Sequence, residues 1–165
     1  MKFFYRLLVN PHRFHSRPPF CEDLSKQITN VTTMRTSLEE SAMNEQRNVF
    51  GEPLQTCSMN PLTGFTRSGS CETGAEDLAS YTVCARVTRD FLEFSKSRHN
   101  DLTTPMPEFD FPGLKEGDRW CVCAARWKEA FEAGCPPRVV LQATHERVTE
   151  IIDLQILRRF AIDVY

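Results

Sequence analysis

Hydrophobic and polar residues alternate in the second half of the chain, and the clearest alternation covers residues 81–87. This segment is rich in residues that favour extended backbone, and it predicts a strand. Thr88 follows as an N-cap, and the acidic and then basic residues after it predict a helix that ends at Ser97. Phe91 and Phe94 would share the face of that helix that packs on the core.

Residues 120–133 fit two patterns. One is a single helix whose apolar stripe is formed by Trp120, Cys123, Ala124, Trp127 and Phe131. The other is a strand over residues 120–124 followed by a helix over 125–133, and it is favoured because Gly134 and two prolines end the helix. In the strand Cys121 and Cys123 share one face, whereas in a helix they would lie about 200° apart.

The remaining elements are shorter. Residues 48–51 predict an edge strand and residues 139–143 a further strand, while Asp153 would cap a last helix. Two long segments rich in proline and glycine, 51–80 and 99–117, predict ordered loops. The order of elements predicts a single small α+β domain over residues 48–163, with helices packed on a mixed sheet.

Residues 1–47 differ from this domain in composition and predict a largely disordered leader and linker. Residues 1–21 hold four basic residues and no acidic one, which is typical of an organelle transit peptide. The alternative is a disordered tail, with Met34 or Met43 as the start. The predicted location is accordingly the mitochondrial matrix or the cytoplasm.

The charge balance excludes some partners. The net charge is −2, and residues 48–165 hold 13 basic and 17 acidic residues, so a clustered positive face for nucleic acid is not expected. No apolar run reaches the length of a membrane span. The composition predicts a soluble body and leaves the oligomeric state open.

Seven cysteines give the chain its main chemical interest, and they lie at positions 21, 57, 71, 84, 121, 123 and 135. Their number is odd and the chain shows no secretory signal, so reduced thiols are expected rather than a disulfide framework. A zinc site could draw its ligands from Cys57, Cys71, Cys84, Cys121 and Cys123, with His145 as a further donor. The spacing lacks paired Cys-x2-Cys knuckles, and buried core thiols are the simpler alternative.

Two further hypotheses stay open. A thiol redox site would use Cys121 or Cys123 beside Arg119 and Arg126, which favour the thiolate, and a long-range cysteine pair suits it better than the Cys-x-Cys pair. A small-molecule pocket would use polar residues at element ends, with Trp120 and Trp127 as walls. These polar candidates are Arg98, Asn100, Asp101, Arg119 and His145. The last alternative is a non-catalytic interaction module whose cysteines only pack.

All the cysteine hypotheses share one geometric expectation. Cys84 lies in one predicted strand, and Cys121 and Cys123 lie in another. If the strands are neighbours, same-face side chains touch, and the loop with Cys57 and Cys71 needs a tether. At least three sulfurs of this group should therefore form one cluster, without Cys21 and Cys135.

Eight short blocks in fixed order carry a resemblance to a known family. They are NVFG at 48–51, NPLTGF at 60–65, TVCA at 82–85, FLEFS at 91–95, NDL at 100–102, FPGL at 111–114, WCVC at 120–123 and ATHE at 143–146. Over residues 48–161 the chain resembles the mainly bacterial family known as domain of unknown function 2237. The resemblance implies no activity. Ser70 stands where a second cysteine is frequent in that family, and Tyr81 where histidine is frequent.

Overall fold

The computed structural model describes residues 45–164, so most of the predicted leader, residues 1–44, lies outside the described residues. Three strands form the sheet: β1 (Val83–Arg86), β2 (Arg119–Val122) and β3 (Arg138–Val139). Their order is β2-β1-β3, and both pairs are antiparallel. The α+β class is confirmed. The sheet itself is antiparallel rather than mixed, and the parallel pairing in the described part is an isolated bridge between Val139 and Ala161.

Among residues 45–164, three α-helices accompany the sheet: α1 (Arg89–Ser97), α2 (Ala124–Glu132) and α3 (Leu154–Arg158). The Thr88 hydroxyl accepts a hydrogen bond from the Phe91 amide, and the Asp153 carboxylate accepts one from the Gln155 amide. Both predicted N-caps are thus confirmed. The pattern at residues 120–133 resolves as the favoured strand followed by a helix.

Two predicted strands are shorter or absent. The strand predicted at residues 139–143 is replaced by the two-residue strand Arg138–Val139, and residues Leu141–Ala143 form a 3-10 helix. The Asp163 carboxylate accepts hydrogen bonds from the amides of Leu141 (2.9 Å) and Gln142 (2.8 Å), which holds this turn. The edge strand predicted at 48–51 is wrong, because the Asn48 side chain accepts from the Phe50 amide and closes a turn there.

The sheet carries a different core on each face, because side chains of a strand alternate between its faces. Val83, Ala85 and Val122 face a large apolar cluster that contains the buried Trp127. The Trp127 indole N–H donates to the Pro137 carbonyl at 3.1 Å, which satisfies its polar atom in the core. The opposite face is covered by a smaller cluster, formed by Cys57, Cys71, Cys84, Cys121, Val140 and Ala143.

The loop of residues 51–80 covers that second face. The amides of Cys57 and Ser58 both donate to the Gly69 carbonyl, at 2.9 and 3.0 Å, so the two arms of the loop are joined. Gly64 adopts a φ of +96°, and a Cβ there would overlap the Ser70 carbonyl. Only glycine fits that close approach. The loop is ordered by such backbone contacts rather than by an apolar stripe.

Candidate functional site

Four buried cysteines join the 51–80 loop to the sheet. Disulfides link Cys57 to Cys84 and Cys71 to Cys121. The sulfurs of Cys57, Cys71 and Cys121 lie within 4.8 Å of one another. The predicted gathering of the sulfurs is confirmed, but the expectation of reduced thiols is wrong for these four cysteines. The pairing depends on the path of the loop across the sheet, which no local pattern specifies. We call this group the four-cysteine cluster.

The two strand cysteines lie directly opposite each other in the sheet. Their amides point away from one another: Cys84 N–H donates to the Thr144 hydroxyl at 3.1 Å, and Cys121 N–H donates to the Thr63 hydroxyl at 2.8 Å. This is the arrangement of a non-hydrogen-bonded antiparallel pair, in which side chains approach most closely. The threonines therefore hold Cys84 and Cys121 side by side.

A cavity of about 610 Å³ lies next to the edge strand β2. Its aromatic wall includes Phe65, Tyr81 and Trp120, and its polar groups include Arg67, Cys123 and Arg126. Cys121 also lines it, so one residue belongs to both the cavity and the four-cysteine cluster. Because the 51–80 loop supplies Phe65 and Arg67, the same disulfides that anchor the loop also shape this cavity.

Cys123 is the free thiol of the cavity. It lies one residue after β2 and forms the N-terminal boundary of α2. Burial raises the pKa of the Cys123 thiol, and the Asp77 carboxylate raises it further, while a hydrogen bond from Tyr81 and the charge of Arg126 oppose that rise. The Cys123 charge and burial together raise the pKa of Tyr81 to about 12. At neutral pH the hydroxyl and the thiol therefore form a neutral pair.

Asp77 is a buried carboxylate close to this pair. Asp77 is 5% exposed. One of its carboxylate oxygens accepts hydrogen bonds from the Tyr81 amide at 2.8 Å and from the Thr73 hydroxyl at 3.0 Å. The other oxygen has no hydrogen-bond partner among residues 45–164. Sequence reasoning missed both Asp77 and Tyr81 as site residues. The signal that could have indicated Asp77 is its place in a Gly- and Ser-rich turn segment four residues before Tyr81.

The two arginines of the cavity differ in their contacts. Arg67 lies over the Trp120 ring, 5.3 Å from its centroid, and donates to the Leu62 carbonyl at 2.9 Å. Arg126 donates to the Glu129 carboxylate at 2.9 Å, a half-exposed pair on the surface of α2. The stacking on Trp120 fixes the Arg67 guanidinium at the cavity wall. Arg67 had no distinguishing sequence pattern.

Two of the polar residues predicted for the site line the cavity, and the others do not. Asp101 and Asn100 line the cavity, but hydrogen bonds from Thr103 and Thr104 and the contact with Lys96 hold the pKa of the Asp101 carboxyl well below its usual range. The Asp101 carboxylate thus accepts its hydrogen bonds from residues of the turn that follows it. Among the other predicted site residues, Trp120 lines the cavity, whereas Trp127 lies in the core on the opposite face of the sheet.

The other predicted residues lie outside the cavity lining. His145 is buried, and its Nδ1 accepts from the Arg147 amide at 3.1 Å, so it caps the 3-10 helix Glu146–Glu150. Burial lowers the pKa of His145, which keeps the imidazole neutral. Arg119 is an exposed residue of β2, and Arg98 pairs with Glu129 at 3.4 Å. None of these three residues lines the cavity.

Comparison with known proteins agrees with the sequence blocks. A family described as an uncharacterized protein conserved in bacteria, DUF2237, matches residues 47–161. No curated protein matches the chain. Among the helices of the described residues, none is both long and apolar enough to cross a membrane. Since the family match spans most of the chain, the protein belongs to the DUF2237 family.

Proposed function

We propose that the protein binds a small organic anion with an apolar or aromatic body in the cavity beside β2. The observation that carries this proposal is the meeting of Arg67, Arg126 and the Trp120 ring around one cavity of about 610 Å³. Small-molecule sites are typically concave, mostly apolar and of a few hundred cubic ångströms, with few polar groups that orient the ligand. The cavity fits that description.

The charges around the cavity favour an anion over a cation. The Arg67 guanidinium contacts the Trp120 ring and the Leu62 carbonyl, which are both uncharged, so its positive charge is not neutralised by these partners. The negative charge of Asp101 is offset by Lys96, which lies 3.0 Å from it. Guanidinium groups bind carboxylates or phosphates through paired hydrogen bonds. Asp77 lies outside the lining, and its charge disfavours an anion close to Tyr81, so the anionic end belongs near Arg67.

The state of Cys123 supports binding rather than covalent catalysis. A cysteine nucleophile acts as the thiolate, and its pKa is normally lowered by its surroundings. The surroundings of Cys123 raise its pKa instead. The thiol and the Tyr81 hydroxyl then serve as a neutral, polarizable part of the wall. The non-catalytic alternative is favoured for the four buried, bonded cysteines, whose roles are structural in this state.

Alkylation of the thiols tests the proposal within one molecule. Cys123 and Cys135 are both free and half-buried, and burial raises the pKa of each, so Cys135 is a matched reference. We expect the rate ratio of iodoacetate to iodoacetamide to be roughly tenfold higher at Cys123. Arg67 and Arg126 line the same cavity as this thiol, whereas Asp77, whose charge opposes the effect, lies outside the lining. The rates are measured by mass spectrometry of peptides from the full, oxidised chain.

Variants and a competitor identify the cause of that ratio. Arg67→Gln should lower the ratio at Cys123, whereas Arg158→Gln, whose side chain lies over the Phe50 ring, should leave it unchanged. Benzoate should protect Cys123 and leave Cys135 reactive. Equal ratios at the two cysteines, or no protection by benzoate, would contradict an anion-binding cavity.

A further inference from the structure

The four-cysteine cluster brings enough sulfur together for one metal ion. We propose that, once both disulfides are reduced, Cys57, Cys71, Cys84 and Cys121 bind one Zn²⁺ as four thiolates. The four cysteines are 0–3% exposed, and structural zinc sites are typically closed and tetrahedral with such ligands. This site is separate from the anion-binding groups proposed above and does not depend on them.

The distances in the cluster are compatible with a tetrahedral site. Three of the sulfurs, those of Cys57, Cys71 and Cys121, lie within 4.8 Å of one another, and the Cys84 sulfur is bonded to that of Cys57. With Zn–S distances of about 2.3 Å, the sulfurs of a tetrahedral site lie about 3.8 Å apart. Each bonded pair would have to separate to that spacing, and the Cys84 sulfur would have to approach those of Cys71 and Cys121.

Backbone hydrogen bonds position the ligands within the sheet and within the loop, and the disulfides join the loop to the sheet. Cys84 and Cys121 are opposite each other in the sheet, and each amide is held by a threonine hydroxyl. On the loop side, the amide of Cys57 donates to the Gly69 carbonyl, two residues before Cys71. Two of the ligands thus lie on neighbouring strands, and two lie on a loop that is closed by a backbone hydrogen bond.

The chemical change is balanced by a dithiol reductant. Each protein disulfide takes two electrons and two protons from one dithiol, which becomes a disulfide itself. Two such exchanges give four cysteine thiols. Binding of Zn²⁺ then displaces the four thiol protons, because the thiolate is the ligand, and leaves a centre of net charge −2. Metal binding is therefore expected to weaken as pH falls.

The metal would replace the two covalent tethers of the 51–80 loop. That loop has few apolar anchors, and it supplies Phe65 and Arg67 to the cavity. Reduction without metal would remove both covalent links and leave the loop held by hydrogen bonds such as that between the Thr63 hydroxyl and the Cys121 amide, whereas one zinc ion would join all four cysteines again. The redox state of the cluster and the supply of zinc would thus decide how firmly the loop is held on the sheet.

Metal titration of the full chain tests the site. The protein is reduced with a dithiol, desalted under argon and titrated with Zn²⁺ against a chromogenic chelator, and with Co²⁺ for its visible thiolate spectrum. We expect one equivalent in the reduced protein, none in the oxidised protein, and the spectrum of tetrahedral cobalt with sulfur ligands. Circular dichroism should show the reduced protein gaining order and thermal stability with zinc.

Cysteine variants distinguish this site from the cavity. Cys84→Ser and Cys71→Ser should weaken zinc binding at least about a hundredfold, since each removes a ligand. Cys123→Ser and Cys135→Ser are the matched controls and should retain one equivalent. The proposal is overturned if reduced wild-type protein binds less than half an equivalent, folded or unfolded, or if Cys84→Ser binds like wild type. Loss of binding in Cys123→Ser would place the metal at the cavity and also refute it.

Discussion

Two buried threonines secure the strands that carry the cysteines, and their hydroxyls offer a quantitative test. Thr144 is fully buried, and its hydroxyl accepts from the Cys84 amide at 3.1 Å while donating to the Val140 carbonyl at 2.8 Å. Thr144→Val keeps nearly the same shape and removes both hydrogen bonds. The Val140 carbonyl retains a bond from the Ala143 amide, so the Cys84 amide is the group left without an acceptor.

The expected loss follows from that single orphaned donor. A buried N–H without an acceptor costs about 1–3 kcal/mol, so Thr144→Val should lower the free energy of unfolding by that amount. Thr63→Val should have a similar effect, because the Cys121 amide loses its acceptor at 2.8 Å. Thr149→Val is the control: its exposed hydroxyl donates to the Glu146 carbonyl, and exposed substitutions usually change stability by less than about 0.5 kcal/mol.

Urea denaturation with the disulfides intact measures the difference. The midpoint should fall in Thr144→Val and Thr63→Val while the dependence on urea stays constant, because the surface exposed on unfolding is the same. If Thr144→Val unfolds at the wild-type midpoint, then the hydroxyl does not satisfy the Cys84 amide. Thr144 would then not be the residue that holds Cys84 in the sheet.

Two further predictions concern acid stability and the leader. Burial lowers the pKa of His145 below its ordinary 6.5, so near this pH the folded state binds fewer protons than the unfolded state. The stability that comes from the neutral imidazole is therefore fully present above about pH 6.5, and it is lost as pH falls through the folded pKa. The urea midpoint should fall less steeply below pH 6.5 in His145→Gln than in the wild type, whereas substitution of the exposed His99 by glutamine should leave the slope unchanged. An unchanged slope in His145→Gln would mean that His145 does not cause the loss of stability in acid. Residues 1–45 fused to a fluorescent reporter in eukaryotic cells should direct it to mitochondria if they form a transit peptide, and diffuse fluorescence would remove that proposal.

The elements predicted best from the sequence are those fixed by local contacts. Thr88 and Asp153 each satisfy an amide two or three residues away, so the sequence around each contains the whole signal for a helix start. The end of α2 follows from Gly134, which adopts a φ of +80°. Local chemistry was sufficient for these boundaries.

The elements that were predicted poorly depend on distant partners. The chain at Leu141 turns into a 3-10 helix because the Asp163 carboxylate, 22 residues away, accepts its amide. The turn at Asn48 is held by a side-chain bond to the Gln142 carbonyl, 94 residues away. The disulfide partners are likewise 27 and 50 residues apart. Alternation and capping contain no information on such contacts.

The neighbouring residues Cys121 and Cys123 show why the sequence supported both a cysteine cluster and a small-molecule pocket. Cys121 is bonded to Cys71 within the four-cysteine cluster, whereas Cys123 stays free and contacts Tyr81 in the cavity. The end of β2 lies between them, so one short segment contributes to two sites. Because the 51–80 loop is tied to the first site and forms part of the second, a change in the cluster must also act on the cavity. Reduction should therefore abolish the protection of Cys123 by benzoate, and zinc should restore it.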